Sequence, residues 1–327
     1  MHRSSRRRRL VLGVSLLALF TAAASTSAQP PADGESAVPV LPPGPDNSLL
    51  EALATDASGR VAVLWTRLGQ GSAGSVWYRR FGPDDSPLTP PIRLASESSR
   101  PTASGLLANG PGDLLISWST QGADGGSTWF VRRVSANRGI HQWSGRGTVQ
   151  ATALDDSGRI AIVSKRFGRS AWHLVAQRYD ARLAPFGPEI ELATGATGGP
   201  IPGRATAAFQ PRTGSLVVVW ETLERPTAAR LVGRLLHWRR REPDSMVLLA
   251  TGKGSDPLHP SPFSPAIAWG QGERWAATWT IHPETADAPG STGIWLATFR
   301  GAFEDPIRRR IADTFPDGAA AARTFAP

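Results

Sequence analysis

The sequence predicts an all-β fold made of five copies of one four-stranded unit, and three observations carry that reading. A D-x-x-G type of turn followed by a short apolar strand recurs along the 327 residues. That strand is apolar on both faces, as a strand buried between two packed layers has to be. A third strand, alternating and rich in aromatics, then follows a Gly/Ser loop in copy after copy.

The clearest unit runs from Ala52 to Ala95. Ala52 to Thr55 is a small apolar edge, ended by the turn Asp56-Ala57-Ser58-Gly59. Asp bonds the backbone two residues on, and Gly accepts positive φ. Val61 to Trp65 is the β-branched and aromatic second strand, and a loop at residues 69–74 leads to Val76–Phe81. There, period two sets Trp77, Arg79 and Phe81 on one face and Val76, Tyr78 and Arg80 on the other. Gly82-Pro83-Asp84-Asp85 turns the chain, and Ile92-Arg93-Leu94 is a short last strand.

The second strand repeats as Leu114–Trp118, Ile160–Ser164, Leu216–Trp220 and Trp275–Trp279. Its last residues, Trp65, Trp118, Ser164, Trp220 and Trp279, stand about 53 residues apart and act as anchors. A turn glycine precedes each: Gly59, Gly112, Gly158, Gly214 and Gly272. Third strands recur at Thr128–Val134, Trp172–Tyr179, Leu231–Trp238 and Ile294–Phe299, with Trp77, Trp129 and Trp295 in one register. Four strands per ~40–50 residues is the signature of a β-propeller blade, so five blades are expected. The third copy carries Ser164 in place of tryptophan, which predicts looser packing there or a gap filled from Trp172.

The third copy, Asp155 to Ala193, reads D-D-S-G-R-I-A-I-V through A-Q-R-Y-D to E-I-E-L-A. It resembles the tandem repeats of large exported bacterial proteins, in which a D-x-x-G turn, a V-x-W strand, an R-F/Y-D turn and an E-I-x-L strand recur. The resemblance spans about residues 50–312 and implies a propeller-like architecture without a defined activity.

Residues 1–28 read as a signal peptide. Arg3 and Arg6 to Arg9 form a basic region, Leu10 to Phe20 an apolar core, and Thr26-Ser27-Ala28 a small-residue cleavage site. The apolar core is well short of the ~20 residues that a spanning helix needs, so no stable transmembrane span is expected after its removal. The product is then secreted or periplasmic. Residues 29–48 are a Pro/Gly-rich flexible leader, 49–312 the propeller domain, and 313–327 a tail that could pack on it. Within the leader, Val38 to Leu41 has strand propensity, and it is expected to pair with a sheet at the opposite end of the chain and so close the ring.

Composition excludes several functions. The full chain is +9, but five arginines lie in residues 1–28, leaving 31 basic and 27 acidic residues, a net +4. That balance does not describe a nucleic-acid binder. Zero cysteines rules out disulfides, thiolate catalysis and Cys-ligated metals. The histidines beyond the signal, His141, His173, His237, His259 and His282, show no metal-ligand spacing, and no metal or cofactor is expected. Thr251 to Ser255 imitates a phosphate loop, but Val247 stands where its first glycine belongs, and there is no G-x-S-x-G elbow. Asp84-Asp85 and Asp155-Asp156 are read as solvated turns.

Asp124 to Trp129 matches the D-x-G-x-T-W part of the Asp-box of sialidase-like propellers, with Gly122 in place of the leading serine. Aligned loops at residues 71–77 and 290–295 share its Gly/Ser character, so it is read as a structural turn. A sialidase also needs an arginine cluster, a tyrosine nucleophile and a glutamate. The two tyrosines, Tyr78 and Tyr179, fall on third strands, away from a central channel. Arg80, Arg133 and Arg178 recur at one repeat position, which marks blade packing or turn bonding, and no catalytic residue is assigned.

Most of the twelve tryptophans are accounted for as core. Trp143, beside His141 in a Gly-rich setting, is the best exposed aromatic, and the two are the candidate ligand contacts. The sequence therefore reads as an exported propeller that binds an unidentified protein or carbohydrate ligand, with a carbohydrate-active propeller, lectin-like or hydrolytic, as the alternative. Expressed in a bacterium with its leader, the protein should leave the cytoplasm and begin near Gln29. N-terminal sequencing that returns Met1 on a membrane-held form would overturn this.

Overall fold

In the computed structural model of the chain, Asp56 shows why the recurring turn forms. Its Oδ1 accepts the Ser58 amide at 2.8 Å and the Arg60 amide at 3.2 Å, and Oδ2 accepts Arg60 Nε at 2.6 Å. Asp155 accepts the Arg159 amide at 2.9 Å, and Asn109 the Asp113 amide at 2.8 Å. The closing glycines hold φ of 78° (Gly59), 89° (Gly112), 84° (Gly158) and 69° (Gly214), where any other residue is strained. Gly272 lies outside the described residues.

The structure describes residues 47–313 except 69–73, 96–99, 123–124, 136–138, 198, 225–227, 238–242, 254–262, 270–273, 282–292 and 302. The signal peptide, Val38 to Leu41 and the tail beyond Asp313 therefore lie outside it, as do Asp124, Trp238, His259 and His282. Blade 1 holds β1 (Asn47–Thr55), β2 (Val61–Leu68), β3 (Gly74–Phe81) and β4 (Ile92–Arg93). Blade 2 holds β5 (Arg100–Ala108), β6 (Leu114–Gln121), β7 (Ser127–Ser135) and β8 (Gly139–Arg146). Blade 3 holds β9 (Thr148–Leu154), β10 (Ile160–Phe167), β11 (Ala171–Tyr179) and β12 (Ile190–Ala196). Blade 4 holds β13 (Ile201–Phe209), β14 (Leu216–Glu224), β15 (Ala228–Leu236) and β16 (Val247–Lys253). Blade 5 holds β17 (Ala266–Trp269), β18 (Arg274–Ile281), β19 (Gly293–Arg300) and β20 (Glu304–Asp313). β1 begins at Asn47, inside the stretch read as leader.

Every sheet is antiparallel with its strands in chain order, and first strands touch successively, β1 with β5, β5 with β9, β9 with β13 and β13 with β17. First strands therefore gather at an axis and fourth strands lie outside. The fold is a β-propeller of five four-stranded blades.

The second strands of blades 1 to 4 hold it together by burying both faces. Leu114, Ile116 and Trp118 of β6 pack on Ala62 and Leu64 of blade 1, while Leu115 packs with Ile160 and Ile162 of blade 3. Ala161 and Val163 then meet Leu216, Val218 and Trp220, and Val217 and Val219 meet Ala277 and Trp279. The anchor tryptophans of β6, β14 and β18 thus all face the preceding blade.

Two register expectations change. Trp77 and Trp295 stand opposite Trp65 and Trp279, but Phe130 stands opposite Trp118, so Trp129 is one residue out of register and faces blade 3 instead. A one-residue slip reverses a side chain's face. Trp172 does not fill the space beside Ser164, because it packs with Trp220 in the junction between blades 3 and 4. The ring at that level is Trp129. It pairs with Ser119, whose hydroxyl accepts the amide of Val149, the cross-strand partner of Ser164.

The recurring arginines bond turns, as expected from the sequence. Arg80 donates to the Gly112 carbonyl (3.2 Å) and Arg133 to the Gly158 carbonyl (3.2 Å), each reaching the turn glycine of the next blade. Arg178 donates to the His237 carbonyl at 2.6 Å. Arg133 is also paired with Asp113. Burial pushes the Asp113 carboxyl up, but hydrogen bonds from Ser135, Arg133 and Asn109 and the Arg133 charge outweigh it, holding Asp113 below its ordinary value. Asp156 accepts the Gly110 amide of blade 2 at 2.8 Å, so this turn carboxylate ties two blades.

The junction between blades 5 and 1 is built differently. Among the described residues no hydrophobic cluster spans it: Val63, Trp65 and Phe81 cluster with Val61 and Trp77 of their own blade. Blade 5 is four-stranded, with β20 in its fourth position; Val38 to Leu41, expected to pair with a sheet at the opposite end of the chain, lie outside the described residues. Trp220, fully buried between blades 3 and 4, should cost roughly 3–5 kcal/mol when replaced by alanine. Chemical denaturation measures this, and an unchanged midpoint would refute the assignment of the anchor.

Candidate functional site

Four of the inner strands break register near the level of the anchor. In β1, Leu50 pairs with Trp65 and Ala52 with Leu64, leaving Glu51 unpaired. In β5, Ala103 pairs with Trp118 and Gly105 with Ser117, leaving Ser104. In β9, Gln150 is left between Val149 and Ala151. In β13, Gly203 and Arg204 together face Glu221. A bulge releases one residue from the alternation and re-aims its side chain. The released residues are Glu51, Ser104, Gln150 and Arg204, all polar, on the strands nearest the axis. Glu51 and Arg204 converge from blades 1 and 4 closely enough for the guanidinium to act on the carboxylate.

The Glu51 carboxyl is pushed above its ordinary value by burial, opposed by its hydrogen bond from Thr66 (2.8 Å) and by the Arg204 charge. Gln150 Nε2 donates to Thr148 Oγ1 at 2.7 Å. Lys165 Nζ donates to the Pro202 carbonyl at 3.2 Å, two residues before Arg204 on the chain.

Glu221 is the second carboxylate at this level, and it is fully buried. Its Oε1 accepts the Phe263 and Ser264 amides at 3.0 and 2.9 Å, and its Oε2 the Arg204 amide at 3.1 Å. Gly203 makes room for it, since a Cβ there would lie 2.5 Å from Oε2. Glu221 follows the anchor Trp220, and the matching residues Ser119 and Lys165 likewise bond the first strand of the next blade. In blades 2 to 4 the position after the anchor is thus an inter-blade clamp, Glu221 serving the Phe263 and Ser264 amides ahead of β17, whereas Thr66 of blade 1 bonds Glu51 of its own blade.

The residues singled out from the sequence fall elsewhere. Trp143 and His141 lie on β8, the outermost strand of blade 2, with ring centroids 4.5 Å apart. Trp143 is half-buried, 5.1 Å from the ring of Tyr179 in blade 3, so it packs between blades at the rim. Tyr78 and Tyr179 are buried on third strands, and burial pushes both phenols up. Asp84 accepts the Ser86 hydroxyl and amide in its turn, and these bonds hold its carboxyl down. Next to Asp124, which lies outside the described residues, the Gly122 amide bonds the Gly126 carbonyl at 2.8 Å and the Gly125 amide the Gly122 carbonyl at 3.0 Å, with Gly125 at φ 77°. Among the described residues no cluster of His, Asp and Glu is placed to hold a metal ion, and no helix is long and apolar enough to cross a membrane.

The bulge residues carry a sequence signal after the fact. Glu51, Ser104 and Gln150 each stand five residues before the turn residue (Asp56, Asn109 and Asp155) in runs otherwise apolar or small. Arg204 stands six before Gln210, whose turn is one residue longer.

No protein-family model matches the sequence, and no curated protein matches it. Among solved structures the chain is similar to the Hadza microbial sialidase Hz136 (TM-score 0.46, 11% identity, covering 71% of this chain and 50% of that one). It is similar also to the Aleuria aurantia lectin in complex with α-methyl-L-fucoside (TM-score 0.39, 13% identity, 83% and 82% covered). A GH43_1 enzyme from Xanthomonas citri complexed with xylose is a third (TM-score 0.38, 12% identity, 81% and 92% covered). The chain spans half the length of the sialidase, and the likeness to all three is one of fold.

The raised pKa of Glu51 fixes the sign of a pH effect. The folded state holds its proton more tightly than the unfolded chain, whose glutamates titrate near ~4.3. The protonated group therefore adds stability below that pH, and the contribution is lost as pH rises through the folded-state value. Glu51→Gln should gain stability relative to the wild type between pH ~4 and ~7. Paired denaturation midpoints across that range test this, and a constant difference would contradict it.

Proposed function

We propose that this chain is an exported β-propeller that works as a binding module, with Glu51, Ser104, Gln150 and Arg204 as the surface that meets its ligand. One observation carries the reading: four successive inner strands break register near one level, and each places a polar side chain there. The set holds one carboxylate, one guanidinium, one amide and one hydroxyl, which suits a small ligand with both donors and acceptors, such as a sugar hydroxyl array or a peptide end. Export, and kinship with tandem-repeat exported proteins, belong to this proposal and are supported by residues 1–28 and by the D-x-x-G and V-x-W units.

A carbohydrate ligand is the second reading. Its support is Glu51, a half-buried carboxylate that burial holds above its ordinary value and on which the Arg204 charge acts. Glycoside hydrolysis by the usual route needs two working carboxylates, and the oxygens of Glu221 already serve backbone amides. Sugar binding therefore fits these residues better than sugar cleavage.

The test is a thermal-shift screen of the exported protein against mono- and oligosaccharides and short peptides, followed by calorimetry on the binders. Arg204→Ala and Glu51→Gln should each weaken the binder tenfold or more, while Trp143→Ala leaves it unchanged. Loss in Trp143→Ala with full affinity in the other two would move the site to the rim and defeat the proposal.

A further inference from the structure

We infer that the ligand of the bulge residues is the carboxy-terminal end of a peptide whose last side chain is apolar. The inference rests on the reading of Glu51, Ser104, Gln150 and Arg204 as the ligand surface, and it adds the chemistry which that surface selects. Three features around one pair of blades carry it: an unpaired guanidinium, a carboxylate with acceptor capacity to spare, and two exposed leucines.

Arg204 is exposed, and among the described residues its guanidinium makes no hydrogen bond and no ion pair. Its own amide is fixed on Glu221 at 3.1 Å, so the residue is held in place while its charge is left to solvent. That charge acts on the Glu51 carboxylate, yet the two side chains do not close on each other, and a space remains between them. Glu51 Oε1 accepts the Thr66 hydroxyl at 2.8 Å. A carboxylate offers about four acceptor sites, so Oε2 is left for a donor from outside.

Comparison along the repeat shows what is particular to blade 1. The two residues before the released one are Leu49 and Leu50 in β1, Thr102 and Ala103 in β5, and Thr148 and Val149 in β9. In β13, Pro202 precedes the bulge and is buried, as Val149 is in β9. Leu49 and Leu50 are 40% and 43% exposed. They pair with Thr66 and Trp65 and so fall on opposite faces of the strand, giving apolar surface to either side of Glu51. Among the four bulges, blade 1 alone sets large exposed aliphatic side chains beside its polar residue.

The last residue of a peptide presents the matching groups together: a carboxylate, an amide N–H and a side chain. The guanidinium takes the carboxylate as a planar fork, the N–H donates to Glu51 Oε2, and an aliphatic side chain covers Leu50. A neutral sugar brings no anion to Arg204, and its ring faces suit aromatic side chains, of which there is none among the bulge residues or the two before each. A free fatty acid brings the anion and the apolar part but no N–H for Glu51.

The probes are N-acetyl-Gly-Gly-Leu with a free carboxylate, the same peptide as its carboxamide, N-acetyl-Gly-Gly-Ser with a free carboxylate, and octanoate. Each is titrated calorimetrically into the exported protein. The leucine acid should bind at least about tenfold more tightly than its carboxamide, and more tightly than the serine acid and octanoate. Arg204→Ala should erase the preference for acid over amide, and Leu50→Ser the preference for leucine over serine, each leaving the other preference in place. Both side chains are exposed, so both variants should keep the wild-type melting temperature. Equal affinity for acid and carboxamide in the wild type would overturn the inference without recourse to any variant, and octanoate binding as tightly as the leucine acid would overturn the peptide. If no peptide acid binds but a saccharide does, and Arg204→Ala abolishes that binding, the peptide end is refuted while the bulge residues stand as the ligand surface. If the leucine acid binds and neither variant changes either preference, the site lies elsewhere and both readings fall.

Discussion

The second strands of blades 1 to 4 are buried on both faces, and the rest of the molecule follows from that. A blade whose central strand reads Val-Ala-Val-Leu-Trp or Leu-Val-Val-Val-Trp cannot hide its apolar surface alone. Leu115, Val163 and Val219 are fully buried only because the next blade covers them. Stability therefore resides in the junctions more than in the sheets, and a chain of this kind needs several copies before any of them is stable. The same constraint creates the difficulty at the ends. Blades 1 and 5 each present a face with no consecutive neighbour, and those are the faces dressed with arginine and exposed leucine.

Junctions also set the polar chemistry. The residue after the anchor sits where one blade meets the first strand of the next, and it is a hydrogen-bonding residue in three successive blades: Ser119, Lys165 and Glu221. A buried carboxylate such as Glu221 is tolerated because three amides satisfy it. On the side of the D-x-x-G turns, Arg80 and Arg133 perform the matching task by capping a turn carbonyl of the following blade. Repetition of a residue type along the chain here marks a joint between blades. The residues proposed to meet a ligand differ from that pattern: Glu51, Ser104, Gln150 and Arg204 change their chemistry from blade to blade.

Arginine does three separate jobs in this chain. Buried, Arg133 pairs with Asp113 and bonds the neighbouring turn. Half-buried, Arg67 and Arg79 spread over aromatic rings, where a planar and weakly hydrated cation is favoured over an ammonium. Exposed, Arg274 and Arg300 stand side by side at a groove of blade 5, with Glu304 across from Arg300. That division helps explain how a chain with only two lysines among its 36 basic residues tolerates so many guanidinium groups within a β fold.

The sequence by itself determined the unit and its number. The D-x-x-G turns, the two-faced second strands and the anchors near every 53rd residue are local patterns, and local geometry obeys them, down to the short strand at Ile92–Arg93 and the positive φ of the turn glycines. The bonding role of Arg80 and Arg133 was legible too, because a residue repeated in register has a repeated task. Tertiary structure decided whatever depends on register between strands. Trp129 lies one residue out of line with Trp77, so it faces the other way, and no periodicity in its own strand reveals that. Trp143 looked like an exposed aromatic because its cover, Tyr179, arrives from another blade. The polar set at Glu51, Ser104, Gln150 and Arg204 stayed hidden for the same cause. A bulge is a mismatch in length between two paired strands, so neither strand alone records it, and only the assembled sheet aims those side chains.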